Sequence, residues 1–370
     1  MMRSVLPTEL ARGQTVIVYA RWLLVLVGLL VAVWNPDSLP QLRIQVGVIL
    51  LVAIANFVMH AQLLRRRPTI QAVAYGASLG DLLVVSLLVA SQGGFGSNTF
   101  VFFFPAVLAI AVAFPTPQAA GLSIMGVCLA SLVGIVGAKN VDELVLRALA
   151  IGAVAVIGNA YWRLHRARIR PNASPTKDDA QDLFWGQVAT LYARWAVVLG
   201  GALLVLSRAV TTSELAFGIM PVIILLIVNF YLHGRYLMER PANSMLTLIA
   251  SALDLALVGG LYLAWSGPGG LANPLFVLLY PLVFAVGLVF PPRLSWAYTA
   301  ASLALYSVLV VASGTNGEGD LKMLVVRLAT LAAMGGLGGL YWRIVRRESR
   351  SNVSDETQSP KLAWQSASAG

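Results

Sequence analysis

The chain has 370 residues, 58% of them hydrophobic and only 11% charged, with a formal net charge of +10 and a mean hydropathy of +0.78. A water-soluble domain carries about 25% charged residues, so a soluble globular protein is excluded and the solvent of this surface is lipid. The basic excess sits beside apolar runs without any nucleic-acid motif, so the expected partners are membrane lipids, not RNA or DNA.

The opening MMRSVLPTELARGQ is polar and has no small-residue cleavage site after a short apolar core. The first apolar run therefore reads as a retained helix. Six apolar runs follow in order, near 16–34, 44–64, 72–91, 99–114, 117–138 and 143–164. The polar, proline-containing segment RIRPNASPTKDDAQDLF then reads as a linker. Six more runs lie near 188–206, 216–237, 245–265, 274–290, 295–313 and 321–344, and the composition after Arg350 is that of a disordered tail. Most runs reach the ~20 helical residues needed to cross a ~30 Å hydrocarbon layer. The fourth of each set is short, which leaves a tilted helix, a thinned bilayer or a helix that starts inside the protein. The single cysteine, Cys128, lies in an apolar run and excludes an intrachain disulfide or a cysteine metal site.

The two sets repeat one another. Gln14, Tyr19, Ala20, Arg21 and Trp22 return as Gln187, Tyr192, Ala193, Arg194 and Trp195, a shift of 173. The same shift carries Asn56, His60, Pro68 and Asp81 onto Asn229, His233, Pro241 and Asp254. Small insertions then accumulate, so that Phe114-Pro115 returns as Phe290-Pro291 and Tyr161-Trp162-Arg163 as Tyr341-Trp342-Arg343. The expected fold is all-α and integral to a membrane, with twelve transmembrane helices arranged as two parallel tandem six-helix repeats. The expected domains are a first repeat over 1–170, a cytoplasmic linker over 171–185, a second repeat over 186–348 and a disordered cytoplasmic tail over 349–370. Arginines cluster in loops on one side (Arg65 to Arg67, Arg163 to Arg170, Arg235, Arg240, Arg293, Arg343 to Arg347), which puts both termini in the cytoplasm, and the expected location is a bacterial inner membrane.

Several polar residues fall at membrane depth. Asp81 and Asp254 lie near the middle of the third helices, where a carboxylate is costly and faces a partner, a cavity or a ligand. Each is either a proton-linked acid or is held by Arg21 or Arg194 on the first helix, or by Asn56 or Asn229 on the second. Arg21 and Arg194 also have the alternative of snorkelling to headgroups. His60 and His233 stand one turn from the asparagines, as haem ligands or, more simply, as interfacial hydrogen-bonding groups. No metal-ligand cluster, catalytic triad order, Walker loop or dinucleotide fingerprint accompanies them, and no enzyme is expected.

The most specific motif is GGLANPLF, Gly269 to Phe276, preceded by Trp265. Two glycines, an asparagine and a proline make a turn able to dip into the membrane, where its polar groups need protein, water or ligand partners. The loop resembles the GG-x-x-NP-F motif in the membrane sensor domain of redox-sensing histidine kinases of the RegB/PrrB type. The Arg-Trp first helix, the asparagine in the second and the acid in the third are similar too. That resemblance implies contact with a quinone at Gly269, Gly270, Asn273 and Pro274, with Trp265 and Phe276 beside it. Leu275 stands where the family motif has Phe. The first copy reads GGFGSNTF, with Gly93, Gly94 and Asn98 as the weaker counterpart and Thr99 in place of the proline. No phosphoacceptor helix or ATP-binding region is recognised. The expected function is a non-enzymatic sensor-like module for signal transduction that binds a quinone or similar lipid and acts through a membrane protein partner. The alternatives are a structural subunit of a respiratory or photosynthetic membrane complex, and a secondary transporter built from two parallel halves.

Overall fold

The computed structural model describes residues 7–34, 39–65, 71–94, 98–137, 141–168, 178–238, 244–264, 270–313 and 321–343. These residues form α-helices and short 3-10 turns, with no strand among them. The first six helices are α1 (Pro7–Val33), α2 (Leu39–Leu64), α3 (Gln71–Ser91), α4 (Phe103–Ala113), α5 (Thr116–Gly137) and α6 (Val141–Arg168). The others are α7 (Asp178–Arg208), α8 (Thr212–Leu237), α9 (Ser244–Leu263), α10 (Leu279–Val289), α11 (Pro292–Ala312) and α12 (Leu321–Arg343). The segment read as linker is thus already helical from Asp178. Residues 171–177 of it and the tail over 349–370 lie outside the described residues.

Nine helices among the described residues are long and apolar enough to cross a membrane: α1, α2, α3, α5, α7, α8, α9, α11 and α12. Helix formation satisfies every backbone group internally, which is why runs of this composition fold as helices where no water is present. Their outward faces are as apolar as a soluble core. α2 exposes Leu50, Leu51, Ile54, Phe57 and Val58, and α8 exposes Phe217, Ile227 and Phe230. Such a surface is stable against lipid and not against water, and the chain is a multi-pass membrane protein.

The short fourth helices have a structural cause. α4 and α10 have 11 residues each, about 16 Å of helix, and every residue in both is buried. They begin inside the protein, each preceded by a 3-10 turn, Asn98–Phe102 and Pro274–Leu278. Both stop before a proline. Phe114 and Phe290 are extended (φ −114°, ψ 154° and φ −99°, ψ 154°), the conformation that a following proline imposes. Phe104 of α4 stacks on Tyr280 of α10 at 4.2 Å with an interplanar angle of 2°.

Around this centre, α4 packs on α1, α5 and α6, while α10 packs on α6, α7 and α11. The α6–α7 contact joins the two halves. α10 and α12 cross closely. A Cβ on Gly338 would lie 3.0 Å from Gly287 Cα and 3.2 Å from Gly287 C, so only two glycines permit the approach.

Candidate functional site

The second GG loop follows α9; Gly270 and Leu271 are buried, Ala272 is exposed, and the chain is buried again from Asn273. Gly270 has φ +62°, a left-handed conformation that a side chain would strain. Its carbonyl accepts from the Tyr262 hydroxyl, and Asn273 N–H donates to it at 3.3 Å. Asn273 is 1% exposed and extended. Its side-chain oxygen accepts from Leu275 N–H at 3.0 Å, while Nδ2 donates to the Tyr262 carbonyl at 3.5 Å. It is therefore the N-cap of the 3-10 turn, with Pro274 in the first position, where a missing N–H costs nothing.

Around Phe276 lies a group that sequence reasoning missed. The Arg327 guanidinium, from the second turn of α12, sits 3.6 Å from the Phe276 ring centroid. Arg327 NH1 donates to the Leu271 carbonyl at 2.8 Å and to the Tyr306 hydroxyl at 2.9 Å. Tyr280 donates to the Arg327 carbonyl at 3.3 Å. Tyr262, Tyr280 and Tyr306 thus surround a buried cation. Among the described residues no carboxylate pairs with it. Cation–π contact and two neutral acceptors compensate part of its desolvation, and among the described residues no negative charge offsets the rest.

The first half carries a partial likeness. Gly93 and Gly94 have φ +86° and +68°, and the Thr99 hydroxyl donates to Gln92 Oε1 at 3.3 Å. Arg147 of α6 lies 4.6 Å from the Phe100 centroid and also faces Phe276, at 6.0 Å. Its charge is met by Glu143, one turn away. The position equivalent to Glu143 in the second half is Met323, so Arg327 has no acid one turn before it on its own helix. The signal was present in the sequence: Arg147 and Arg327 recur at a shift of 180, as Tyr161 and Tyr341 do, on the side otherwise poor in arginine.

The intramembrane acids are paired. Arg21 Nε donates to Asp81 Oδ2 at 2.6 Å, and its NH1 lies 2.8 Å from Met59 Sδ. Arg194 Nε lies 2.9 and 2.7 Å from the two oxygens of Asp254, with both side chains almost fully buried. Asn56 donates to the Val18 carbonyl at 3.0 Å, tying α2 to α1. Asn229 is equally buried, yet neither atom of its amide has a hydrogen-bond partner among the described residues. Trp22 Nε1 donates to His60 Nδ1 at 3.1 Å, a second tie between α1 and α2.

Of the sequence-derived site, the structure gathers Gly270, Asn273, Pro274 and Phe276 with Arg327 and its tyrosines. It leaves the Asp254 pair in a separate place. Trp265, Gly269 and the Asn98 side chain lie outside the described residues. No family model, curated protein or solved structure matches the chain at a significant level.

Proposed function

We propose that this chain is a non-enzymatic, sensor-like membrane module that holds a quinone or a similar lipid head group at the second GG-x-x-NP loop and acts through a membrane protein partner. The observation that carries this reading is Arg327: a buried guanidinium with no acid beside it among the described residues, ringed by Phe276, Tyr306, Tyr280 and Tyr262. A ligand's carbonyl or anionic oxygen would add to the Leu271 carbonyl and Tyr306 hydroxyl that the guanidinium already holds, and the aromatic neighbours suit a flat ring. Gly270 and Pro274 shape the turn, and Asn273 holds it. The first-half counterpart is the weaker site, because Glu143 already answers Arg147.

The same proposal takes the body as two parallel six-helix copies crossing twelve times, with α4 and α10 completing their crossings through the buried 3-10 turns. Two observations support it. Arg21–Asp81 and Arg194–Asp254 join residues 60 apart in each half, and an arginine covers the loop phenylalanine in each. The one-sided arginines support cytoplasmic termini in a bacterial inner membrane.

A second reading, a structural subunit of a membrane complex, is favoured by Asn273, whose amide is engaged in backbone bonds, and by Phe276, which is packed away. Purification in mild detergent with mass spectrometry of protein bands and extractable lipids separates the two. Stoichiometric quinone that falls at least tenfold in Arg327→Gln, with helicity and monodispersity unchanged, supports the sensor-like reading. Quinone retained in full by Arg327→Gln refutes the site. A wild-type protein with no quinone and a reproducible set of membrane partners makes the chain a structural subunit.

A further inference from the structure

Leu191 of α7, Leu232 of α8 and Ala250 of α9 pack together as a small buried cluster. One turn deeper along the same faces stand Arg194, Asn229 and Asp254, three residues on along α7, three back along the antiparallel α8 and four on along α9. Steps of three or four keep a side chain on its helix face, so all three face one seam. The Arg194–Asp254 ion pair fixes the level of α7 against α9. α11 packs on α9 and brings Tyr298, whose hydroxyl is near enough to feel both charges of that pair. Arg194 lies seven residues into its membrane span, Asn229 six from the end of its own and Tyr298 six into α11, so the depth is shared.

This seam buries polar atoms that the protein does not answer. Arg194, Asn229, Asp254 and Tyr298 are between 0% and 7% exposed. Among the described residues, Arg194 Nη2, both amide atoms of Asn229 and the Tyr298 hydroxyl have no hydrogen-bond partner. Folded proteins rarely leave such groups unanswered, because each has given up its water without a replacement. The first half meets the same positions with protein. Asn56 donates to the Val18 carbonyl, and Arg21 NH1 rests on the sulfur of Met59, where the second half has Leu232. Leu122 stands where Tyr298 stands, by the shift that relates Phe114-Pro115 to Phe290-Pro291. Arg21 Nη2 and Asn56 Oδ1 are the atoms left over there among the described residues.

The unanswered atoms specify the guest. Arg194 and Asp254 neutralise one another, so the seam offers no net charge to an ion. Nη2, Nδ2 and the hydroxyl donate while the amide oxygen accepts, so the guest must do both. Near-complete burial restricts it to a small molecule. Water meets all three conditions, and a buried water typically makes about three hydrogen bonds to groups of this kind. We infer that the second half holds an internal water site between α7, α8, α9 and α11, where ordered water accepts from Arg194 and Tyr298 and joins the Asn229 amide to the ion pair. Water there ties α8 and α11 to the pair that already links α7 and α9. The site is separate from the GG loop and stands without the quinone reading.

Radiolytic footprinting reads such water directly, because hydroxyl radicals formed from a bound molecule oxidise the side chain beside it. The intact protein in lipid nanodiscs receives a millisecond X-ray pulse, and oxidation is quantified residue by residue by mass spectrometry. Tyr262, 5% exposed and with its hydroxyl already donating to the Gly270 carbonyl, is the internal reference. Tyr298 is expected to be oxidised at least fivefold faster than Tyr262. Asn229→Leu is expected to bring the two rates together, with helicity and monodispersity unchanged. Tyr298→Phe, which deletes one hydrogen bond to the water, is expected to lower the thermal unfolding midpoint, and it carries the test alone if Asn229→Leu does not fold. Equal oxidation of Tyr298 and Tyr262 in the parent overturns the assignment. So does a raised midpoint in Tyr298→Phe, which is the response of a hydroxyl buried without any partner. A Tyr298 signal suppressed when chloride replaces gluconate gives the seam to an anion and overturns it as well.

Discussion

Replacing Asp254 with asparagine isolates what the buried ion pair contributes. Arg194 is 1% exposed and Asp254 2%, and the guanidinium Nε reaches both carboxylate oxygens. The substitution keeps the shape, removes the charge and turns one acceptor into a donor that opposes the guanidinium. Breaking a buried pair from one side costs about 3–5 kcal/mol, because the remaining charge has neither bulk water nor a charged partner. About 4 kcal/mol is roughly a thousandfold in the folding equilibrium. Asp81→Asn is milder, at about 1–2 kcal/mol, because Asp81 is 14% exposed and borders a crevice of about 30 Å³, enough for one water. Replacing both partners, Arg194→Met with Asp254→Leu, removes the charge without stranding either member and is expected to stay within about 1 kcal/mol of the parent. The assay is reversible unfolding by titrated denaturing detergent, followed by tryptophan fluorescence. A loss below about 1 kcal/mol in Asp254→Asn, or a double variant as unstable as the single, refutes the reasoning.

Asn273→Ala removes an N-cap and is expected to cost about 1 kcal/mol, with most of it restored by Asn273→Ser, which keeps a capping oxygen; a lowered unfolding midpoint recovered by serine checks this. Gly338→Ala forces backbone against backbone at the α10–α12 crossing and is expected to cost about 1–3 kcal/mol. Gly339→Ala meets nothing within 4 Å and is expected to be neutral or to gain up to about 1 kcal/mol in the same unfolding assay. Asp142, at the start of α6, pairs with Arg208 at the end of α7 through two bonds, one of 2.9 Å. Burial alone would raise its carboxyl, but the hydrogen bond and charge of Arg208 outweigh burial and hold it below the usual carboxylate range. The pair's contribution is then complete above the unfolded value of about 4 and is lost as pH falls through the lower native value. Thermal unfolding of the parent should therefore decline more steeply than that of Asp142→Asn below about pH 4, and parallel curves would remove Asp142 from the account.

The sequence by itself determined the solvent and the class of structure. An 11% charge content and long apolar runs leave helices in lipid as the way to satisfy the backbone, and the boundaries followed from local chemistry, as at Phe114-Pro115 and Phe290-Pro291. The arginines and acids at membrane depth were visible for the same reason, because a charge among apolar residues stands out in one dimension. Which group meets which acid was decided by tertiary structure, since Arg194 and Asp254 are 60 residues apart and the sequence offered both an arginine of the first helix and an asparagine of the second. The short fourth helices lie at the centre because α4 and α10 are covered on every side by longer ones, a relation that their lengths alone do not contain. The loop shows the division most clearly. Its glycines and Asn-Pro were legible as a turn, whereas Arg327 joins it from α12, 51 residues beyond Phe276, because packing brings a distant guanidinium over that ring. Local sequence sets backbone conformation and solvent preference; the pairing of distant polar groups is fixed only when the helices close and leave each buried charge the partners that the fold provides.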